Sequence, residues 1–389
     1  LNKLNEVPSM SITVCMSASA CRTHSGGLAW MYLSWAQGLD AIGCNVIWME
    51  AERFDPSLSE DEIGRAVAEI REFLISHGLR SPQVALASNT GAALPWDDSG
   101  HYLTLDEAAA QSDLFFNAAY HESPNVINRF RRSAFFDGDP GVMQLWLSRG
   151  DLVVAPHDIY FTVGETVGKP GCKIPDAGLE WHFMPPAVYL PSWPVVPAPV
   201  GGHYTTVSNW WSREWIEWDG KFLSNEKRTA FLEYIQVPKE TSASLELSLT
   251  LGDSDHEDVA RFEANCWNIR PIISKDWTPA AYHRYVQQSR GEFSCAKPFY
   301  VLLDTAWIAD RTLHYMASGR PAVLQDTGPS SLLPGDEGVI RFRSPSEAAK
   351  ALEAVEADYD RHSRRARQLV EEHFDATKLA KRMLERALS

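Results

Sequence analysis

The chain has 389 residues, 44% hydrophobic and 22% charged, with 51 acidic against 36 basic residues and a formal charge of −15. That length asks for two domains of ~150–200 residues each rather than one core. So negative a surface repels polyphosphate backbones and excludes nonspecific nucleic-acid binding, whereas a phosphorylated small ligand needs only two or three cations in one pocket.

Cys15, Cys21, Cys44, Cys172, Cys266 and Cys295 show no regular spacing. They are expected to be free thiols of a reducing compartment rather than a disulfide frame or a zinc site. Residues 1–10 lack the apolar core of a signal peptide, and Met10 is a candidate natural start. No apolar run approaches the ~18 residues of a membrane span, so the cytoplasm is the expected location.

In chain order, residues 11–18 form a short β-rich run, followed by a turn at 21–27. Leu28, Met31, Tyr32, Trp35 and Leu39 recur at helical spacing, and residues 45–49 make a second β run. Strand, Gly-rich turn, helix and strand in this order predict a βαβ unit with parallel strands. A helix over 60–77 and strands over 84–87, 114–118, 134–137 and 152–155 extend the alternation. Then Pro185, Pro186, Pro191, Pro194, Pro197 and Pro199 precede Gly201-Gly202. Proline at that density removes backbone donors and fixes φ, which predicts an extended interdomain linker over 185–202.

Beyond it the alternation restarts, with strands over 204–208, 245–251, 267–273, 293–296, 322–325 and 339–342. Helices are expected over 225–235, 279–289, 346–357, 359–373 and 376–388. The pattern is α/β, two Rossmann-like domains facing a cleft: 1–184, then 203–375, with a last helix over 376–389.

The stretch DRTLHYMASGRPAVLQDTG, residues 310–328, carries the most information. Asp310 stands where an N-cap belongs, Gly319 where a left-handed C′ belongs, and Pro321 opens the next strand. A helix thus starts at the cleft with its positive end, and Arg311 lies in its first turn. Helix dipole plus guanidinium seats a pyrophosphate; an ordinary capped helix with a surface arginine fits the spacing equally. His314, four residues after Asp310, shares its face. Ser25-Gly26-Gly27 after the first strand reads either as a close approach to a ligand or as a plain tight turn. Trp210, Trp211, Trp215 and Trp218 crowd one segment, either an aromatic platform for a sugar or filling for an interface.

The strings YMASGRPAVLQDTG, SRGEFSCAK and EEHFDATKLAKRMLERAL resemble the C-terminal half of bacterial group-1 (GT4-like) glycosyltransferases of the GT-B fold. SGGLAWMYLSWAQGLDAIGCNVIWMEA and DGDPG resemble their N-terminal half. The resemblance implies a hexosyltransferase that takes a sugar from a nucleoside diphosphate and passes it to a hydroxyl acceptor, metal-independent and without a cofactor. It implies donor contacts from Lys227, Glu292, Lys297, Asp310, Arg311, His314, Asp326, Thr327 and Gly328. Acceptor contacts would come from Ser25, Gly26, Gly27, His157, Trp210 and Trp211. His121, Asp137 and Asp139 follow strands and would face the cleft, where such groups deprotonate an acceptor hydroxyl; D-G-D-P-G also reads as turn chemistry. The expected catalytic set is His121, Asp137 and Arg311.

One departure stands out. Many retaining members carry two glutamates eight residues apart where this chain has Ala306 and His314. That leaves two alternatives in view: a degenerate sugar-binding or accessory subunit, and a sugar-nucleotide epimerase.

Overall fold

A computed structural model of the chain describes residues 11–18, 26–52, 57–119, 122–212, 215–273 and 276–389. The first lobe runs β1 (Thr13–Ser17), α1 (Gly26–Ala41), β2 (Asn45–Glu52), α2 (Glu60–Ser76), β3 (Gln83–Ser88), α3 (Leu105–Gln111) and β4 (Leu114–Asn117). It continues through α4 (Pro124–Ile127), β5 (Ser133–Asp137), α5 (Val142–Arg149), β6 (Ile159–Thr162) and β7 (Trp181–Phe183). All seven strands are parallel, in the order β3-β2-β1-β4-β5-β6-β7. β1, β4 and β5 are buried on both faces, as parallel strands covered by helices must be, which is why they read as unbroken apolar runs. α2 buries Ile63, Val67, Ile70 and Leu74 along one stripe and starts with a Ser59/Glu62 capping box.

The second lobe comprises β8 (Tyr204–Asn209), β9 (Trp215–Trp218), β10 (Lys221–Ser224), α6 (Lys227–Glu233), β11 (Leu245–Thr250), α7 (His256–Glu263) and β12 (Asn268–Pro271). After these come α8 (Pro279–Gln288), β13 (Gly291–Ser294), α9 (Pro298–Leu302), α10 (Asp310–Ala317), β14 (Ala322–Gln325) and β15 (Val339–Phe342). Its six-stranded parallel sheet has the order β12-β11-β8-β13-β14-β15. Helices α11 (Pro345–Ala357), α12 (Tyr359–His373) and α13 (Ala376–Ala387) end the chain. α13 returns to the first lobe, where a Cβ on Gly38 of α1 would lie 2.6 Å from the Ala376 carbonyl oxygen.

Three expectations change. Residues 152–155 form no strand, and Val153 is 84% exposed; the strand of that region is β6, residues 159–162. The tryptophan-rich segment after β8 is a hairpin, β9–β10, turned at Asp219 and Gly220 with φ of 51° and 70°. Two positive φ values suit a type I′ turn, for which Asp-Gly is a strong signal. The proline-rich stretch is extended but packed, with Val188 and Trp193 fully buried. Its carbonyls are met by arginines: Arg320 donates to Val196 (2.8 Å) and Pro197 (3.3 Å), and Arg367 to Trp193 (2.8 Å). Prolines remove donors but leave acceptors, and buried acceptors need partners.

Candidate active site

In an open parallel sheet the crevice for a ligand lies where the strand order reverses, beyond the carboxyl ends. In the second lobe that point is between β8 and β13. Arg311, at the start of α10, sits over it. Its Nη1 donates to the Val207 carbonyl of β8 (2.9 Å), Nε to Glu292 Oε1 of β13 (2.7 Å), and Nη2 to Ser294 Oγ (2.9 Å). Burial alone would weaken the guanidinium's hold on its proton, but the Glu292 carboxylate outweighs it and raises the pKa.

Lys227 opens α6 beneath the same point. Its Nζ donates to the Cys295 carbonyl and lies 5.6 Å from the centre of the Trp307 ring. Burial, then the repulsion of Arg311, pulls its pKa down to about 7. Lys297, half-buried with Nζ 5.9 Å from the Tyr300 ring centre, adds a third cation. Ser294, Cys295, Trp307, Arg311, Gln325 and Thr327 line a cavity of ≈ 20 Å³ here, room for about one water molecule.

Several expected contacts are corrected by what the side chains touch. Glu292 is fully buried and pairs with Arg311 through Oε1, while its Oε2 has no hydrogen-bond partner. Asp310 is the first helical residue, with Ala309 as N-cap, so its carboxyl stands at the start of α10; burial raises its pKa against the pull of Arg311. His314 is fully buried one turn along, stacked on Trp193 at 4.4 Å, with Nδ1 facing the Tyr282 hydroxyl at 2.9 Å. Burial drives its pKa down to about 3, so it is a neutral core group, not a donor contact.

The 326–328 loop shapes the site, with Thr327 in the cavity wall. Asp326 pairs with Arg343 (2.7 Å) and Arg341 (3.4 Å), and Thr327 Oγ1 donates to the Trp307 carbonyl (2.7 Å). Gly328, at φ 109°, has Asp304 backbone where a Cβ would stand, 2.8 Å away. These contacts hold the 304–309 loop, in which Asp304 (φ 51°) and Ala306 (φ 53°) are left-handed. Two such non-glycine residues before a cleft-facing helix are a strain the surroundings must impose.

Across the cleft, Asp137 is fully buried. Gln144 Nε2 and Thr162 Oγ1 donate to its Oδ2 (both 2.7 Å), and the Asp139 N–H to its Oδ1 (2.9 Å). Burial raises its pKa to about 6, and both oxygens are engaged, so it organises the 137–141 loop instead of acting as a base. Asp139, partly exposed, accepts the Tyr300 hydroxyl of α9 at 2.5 Å. His157 is buried between Asn117 (3.1 Å) and the Ala155 carbonyl (2.7 Å), and burial pushes its pKa down to about 4; it is a core residue, not an acceptor contact. Gly26 and Gly27 start α1 against α8: a Cβ on Gly26 would lie 2.6 Å from Tyr282 Cβ, and one on Gly27 3.5 Å from its ring. Their smallness serves interlobe packing. Trp210 is 1% exposed and bonds Asp258, so it is no sugar platform; Trp211 is half-exposed, bonds Asp255 beside α7, and has the Arg228 guanidinium 5.0 Å from its ring centre. His121 and Ser25 lie outside the described residues.

Sequence reasoning missed Glu122, a buried carboxylate whose Oε1 accepts Ser17 Oγ at 2.6 Å where β1 and β4 diverge, and Tyr300. Neither sits in a recognisable motif. Among the described residues no group of three or more His, Cys, Asp or Glu side chains is placed to hold a metal, and no helix is long and apolar enough to cross a membrane.

No protein-family model and no curated protein matches the sequence. Solved structures do match the fold. Anabaena HepE in complex with UDP-glucose shares 10% identity at a TM-score of 0.55, over 96% of this chain and 99% of that one. AviGT4, a glycosyltransferase involved in avilamycin A biosynthesis, gives 11% and 0.54 over 97% of each. An alpha-glucosyltransferase bound to UDP and a 13-mer DNA gives 12% and 0.56, over 97% and 100%. The chain thus has the GT-B fold, two Rossmann-like lobes facing one cleft.

Proposed function

We propose that the protein is a glycosyltransferase that moves a hexosyl group from a nucleoside-diphosphate donor to a hydroxyl acceptor. The observation that carries this is the convergence of Arg311 and Lys227 at the β8/β13 divergence, close enough that Arg311 depresses the lysine's pKa. Cations held together against their repulsion favour an anionic ligand. A leaving diphosphate develops charge as the sugar departs, and Lys227, Lys297 and the remaining Arg311 N–H groups stabilise it there without a divalent ion. The nucleotide sugar is a substrate, and no cofactor is required. The fold's neighbours, crystallised with UDP or UDP-glucose, support the donor class.

A second reading has its own support. Glu292 offsets Arg311, Asp310 fills the start of α10, and alanine and histidine stand at 306 and 314. Those features suit a sugar-binding subunit without catalysis. Calorimetry with UDP, GDP and dTDP, followed by turnover of the matching nucleotide sugars, separates the two. Nucleotide binding with turnover, reduced ~10²-fold or more in Arg311→Ala, is expected of the transferase. Sugar binding without nucleotide affinity or turnover would establish the subunit instead.

A further inference from the structure

We infer that the groove between α8 and the edge strand β12 is a second ligand site, separate from the cleft, for a planar aromatic ring carrying one phosphate. It uses none of the residues assigned to the diphosphate and stands apart from the glycosyltransferase reading.

β12 ends one side of the second sheet. A cavity of ≈ 280 Å³ lies between it and α8, lined by Arg270 of β12, Arg284 and Tyr285 of α8, and Asp276 and Trp277 of the connecting loop. That volume is near the lower end for small-molecule pockets. Both arginines are exposed, and among the described residues neither meets a carboxylate within ion-pair distance or donates a side-chain hydrogen bond. Other arginines of this lobe are paired: Arg228 with Asp258, Arg290 with Glu356, and Arg341 with Asp326. A phosphate between Arg270 and Arg284 would replace their mutual repulsion with charge-assisted hydrogen bonds from two planar forks.

The aromatic side of the groove is held in place. Tyr285 is buried and its hydroxyl donates to Glu246 Oε1 at 2.7 Å, which fixes the ring. The Arg270 guanidinium lies 5.0 Å from that ring's centre, so a cation–π contact steadies it at the cavity wall. Trp277 is half-buried and meets Tyr285 edge-on, at 5.3 Å and 64°. A ligand ring lying on the indole would have its phosphate within the arginines' reach. Asp276 is exposed and repels a second negative group, but it can accept a hydrogen bond from a ligand hydroxyl. A nucleoside monophosphate offers the ring, the single phosphate and the hydroxyl together. Charge and proline also blunt an edge strand against pairing, and that alone would explain Arg270 and Pro271. It leaves unexplained why Arg284, on a helix, faces the same cavity, and why an indole lines it.

The test is calorimetry of the full chain with phenyl phosphate and UMP, with inorganic phosphate and uridine as controls. Phenyl phosphate should bind saturably and ~10-fold or more tightly than inorganic phosphate, through the stacked ring. Arg270→Ala and Arg284→Ala change exposed side chains, so the fold should hold while phenyl phosphate binding weakens about 10-fold or more in each. Trp277→Leu should narrow the gap between phenyl phosphate and inorganic phosphate. UMP should show two binding events in the wild type; the arginine variants lose one, and Lys227→Met weakens only the other. No saturable binding of phenyl phosphate, or unchanged affinity in both arginine variants, overturns the inference. Equal affinity for inorganic phosphate also overturns it, leaving an adventitious ion only. A single UMP event weakened alike by Arg284→Ala and Lys227→Met overturns it too, by making the groove part of the donor cleft. The transferase reading fails separately, if no event responds to Lys227→Met.

Discussion

Replacing Lys227 with methionine is expected to stabilise the protein and to weaken its hold on nucleotide. The ammonium is buried, and its pKa falls from 10.5 to about 7, through burial first and Arg311 second. At ~1.4 kcal/mol for each tenfold loss of proton affinity, keeping that proton at neutral pH costs about 5 kcal/mol before relaxation and water penetration reduce it. Methionine removes the cost but leaves the Cys295 carbonyl without its donor, worth ~1–2 kcal/mol in the other direction. A net gain of about 1–3 kcal/mol at pH 7 is expected in urea denaturation.

The pH dependence identifies the cause. From about pH 7 to 10.5 the unfolded chain keeps a proton on Lys227 that the folded chain releases. Wild-type stability therefore climbs with pH in that window, by up to ~1.4 kcal/mol per unit, and the variant lacks this slope. A bound diphosphate reverses the shift. Nucleotide binding near pH 8 should take up close to one proton in the wild type and none in Lys227→Met, read by calorimetry in two buffers of different ionisation enthalpy. Affinity should fall about 10–100-fold with the lost charge-assisted contact. A variant less stable than wild type, or one with unchanged nucleotide affinity and proton uptake, refutes the reasoning.

Three further outcomes are expected. Gly26→Ala forces a methyl within 2.6 Å of Tyr282 Cβ and 3.1 Å of the Thr278 carbonyl, so it should cost ~1–3 kcal/mol in thermal or urea unfolding; full stability with nucleotide binding lost would restore a ligand role to that glycine. Glu292→Gln leaves the Arg311 guanidinium without its carboxylate and should lose ~3–5 kcal/mol of stability, yet bind UDP, GDP or dTDP more tightly because the pocket gains net positive charge; weaker nucleotide binding in folded protein would contradict this. His314 has its pKa lowered from 6.5 to about 3, so the unfolded chain binds the extra proton and stability falls as pH drops below 6.5. His314→Gln should remove up to ~1.4 kcal/mol per pH unit of that acid slope, measured by urea denaturation from pH 6.5 to 5, where an unchanged slope would place the proton elsewhere.

The fold was largely legible because parallel strands covered on both sides must be short apolar runs, and helices between them must show a stripe. β4 (LFFN) and α2, with Ile63, Val67, Ile70 and Leu74, meet those demands locally. The β9–β10 hairpin was not legible because its strands are only four residues long and its one local signal is the Asp219-Gly220 pair that turns it. The site was less legible for a different reason. Spacing places a charged residue at a strand or helix end, but its partner comes from elsewhere in the chain. Arg311 was placed at the cleft by its helix, yet its pairing with Glu292, 19 positions earlier, is a tertiary fact. His314 shares a face with Asp310 as helical periodicity requires; the linker's Trp193 closes that face off. In the same way D-G-D-P-G reads as a turn, and only Tyr300, 161 residues on, distinguishes Asp139 from its neighbour.

Two kinds of contact join the lobes, and their difference bears on how a substrate is admitted. On one side α1 meets α8 through Gly26 and Gly27, Trp30 Nε1 donates to the Pro279 carbonyl at 3.0 Å, and α13 lies on Gly38. These are buried, close-packed surfaces that a small displacement would disrupt. On the cleft side polar contacts carry more of the junction, some of them exposed. Lys173 pairs with Asp304 at 2.5 Å, both half-exposed, and Ser330 and Ser331 donate to Glu165. An exposed ion pair contributes only ~0–1 kcal/mol. The apolar part of that clasp is Ile216 of the hairpin, 1% exposed, clustered with Val142 and Met143 of the first lobe and Phe299 and Leu303 of the second. The cavity of ≈ 20 Å³ beside Arg311 is smaller than a diphosphate, so on the transferase reading a donor would enter by parting the cleft-side clasp rather than the close-packed α1–α8 surface. Tyr300 and Asp139 belong to that clasp, joined by a hydrogen bond of 2.5 Å between the lobes.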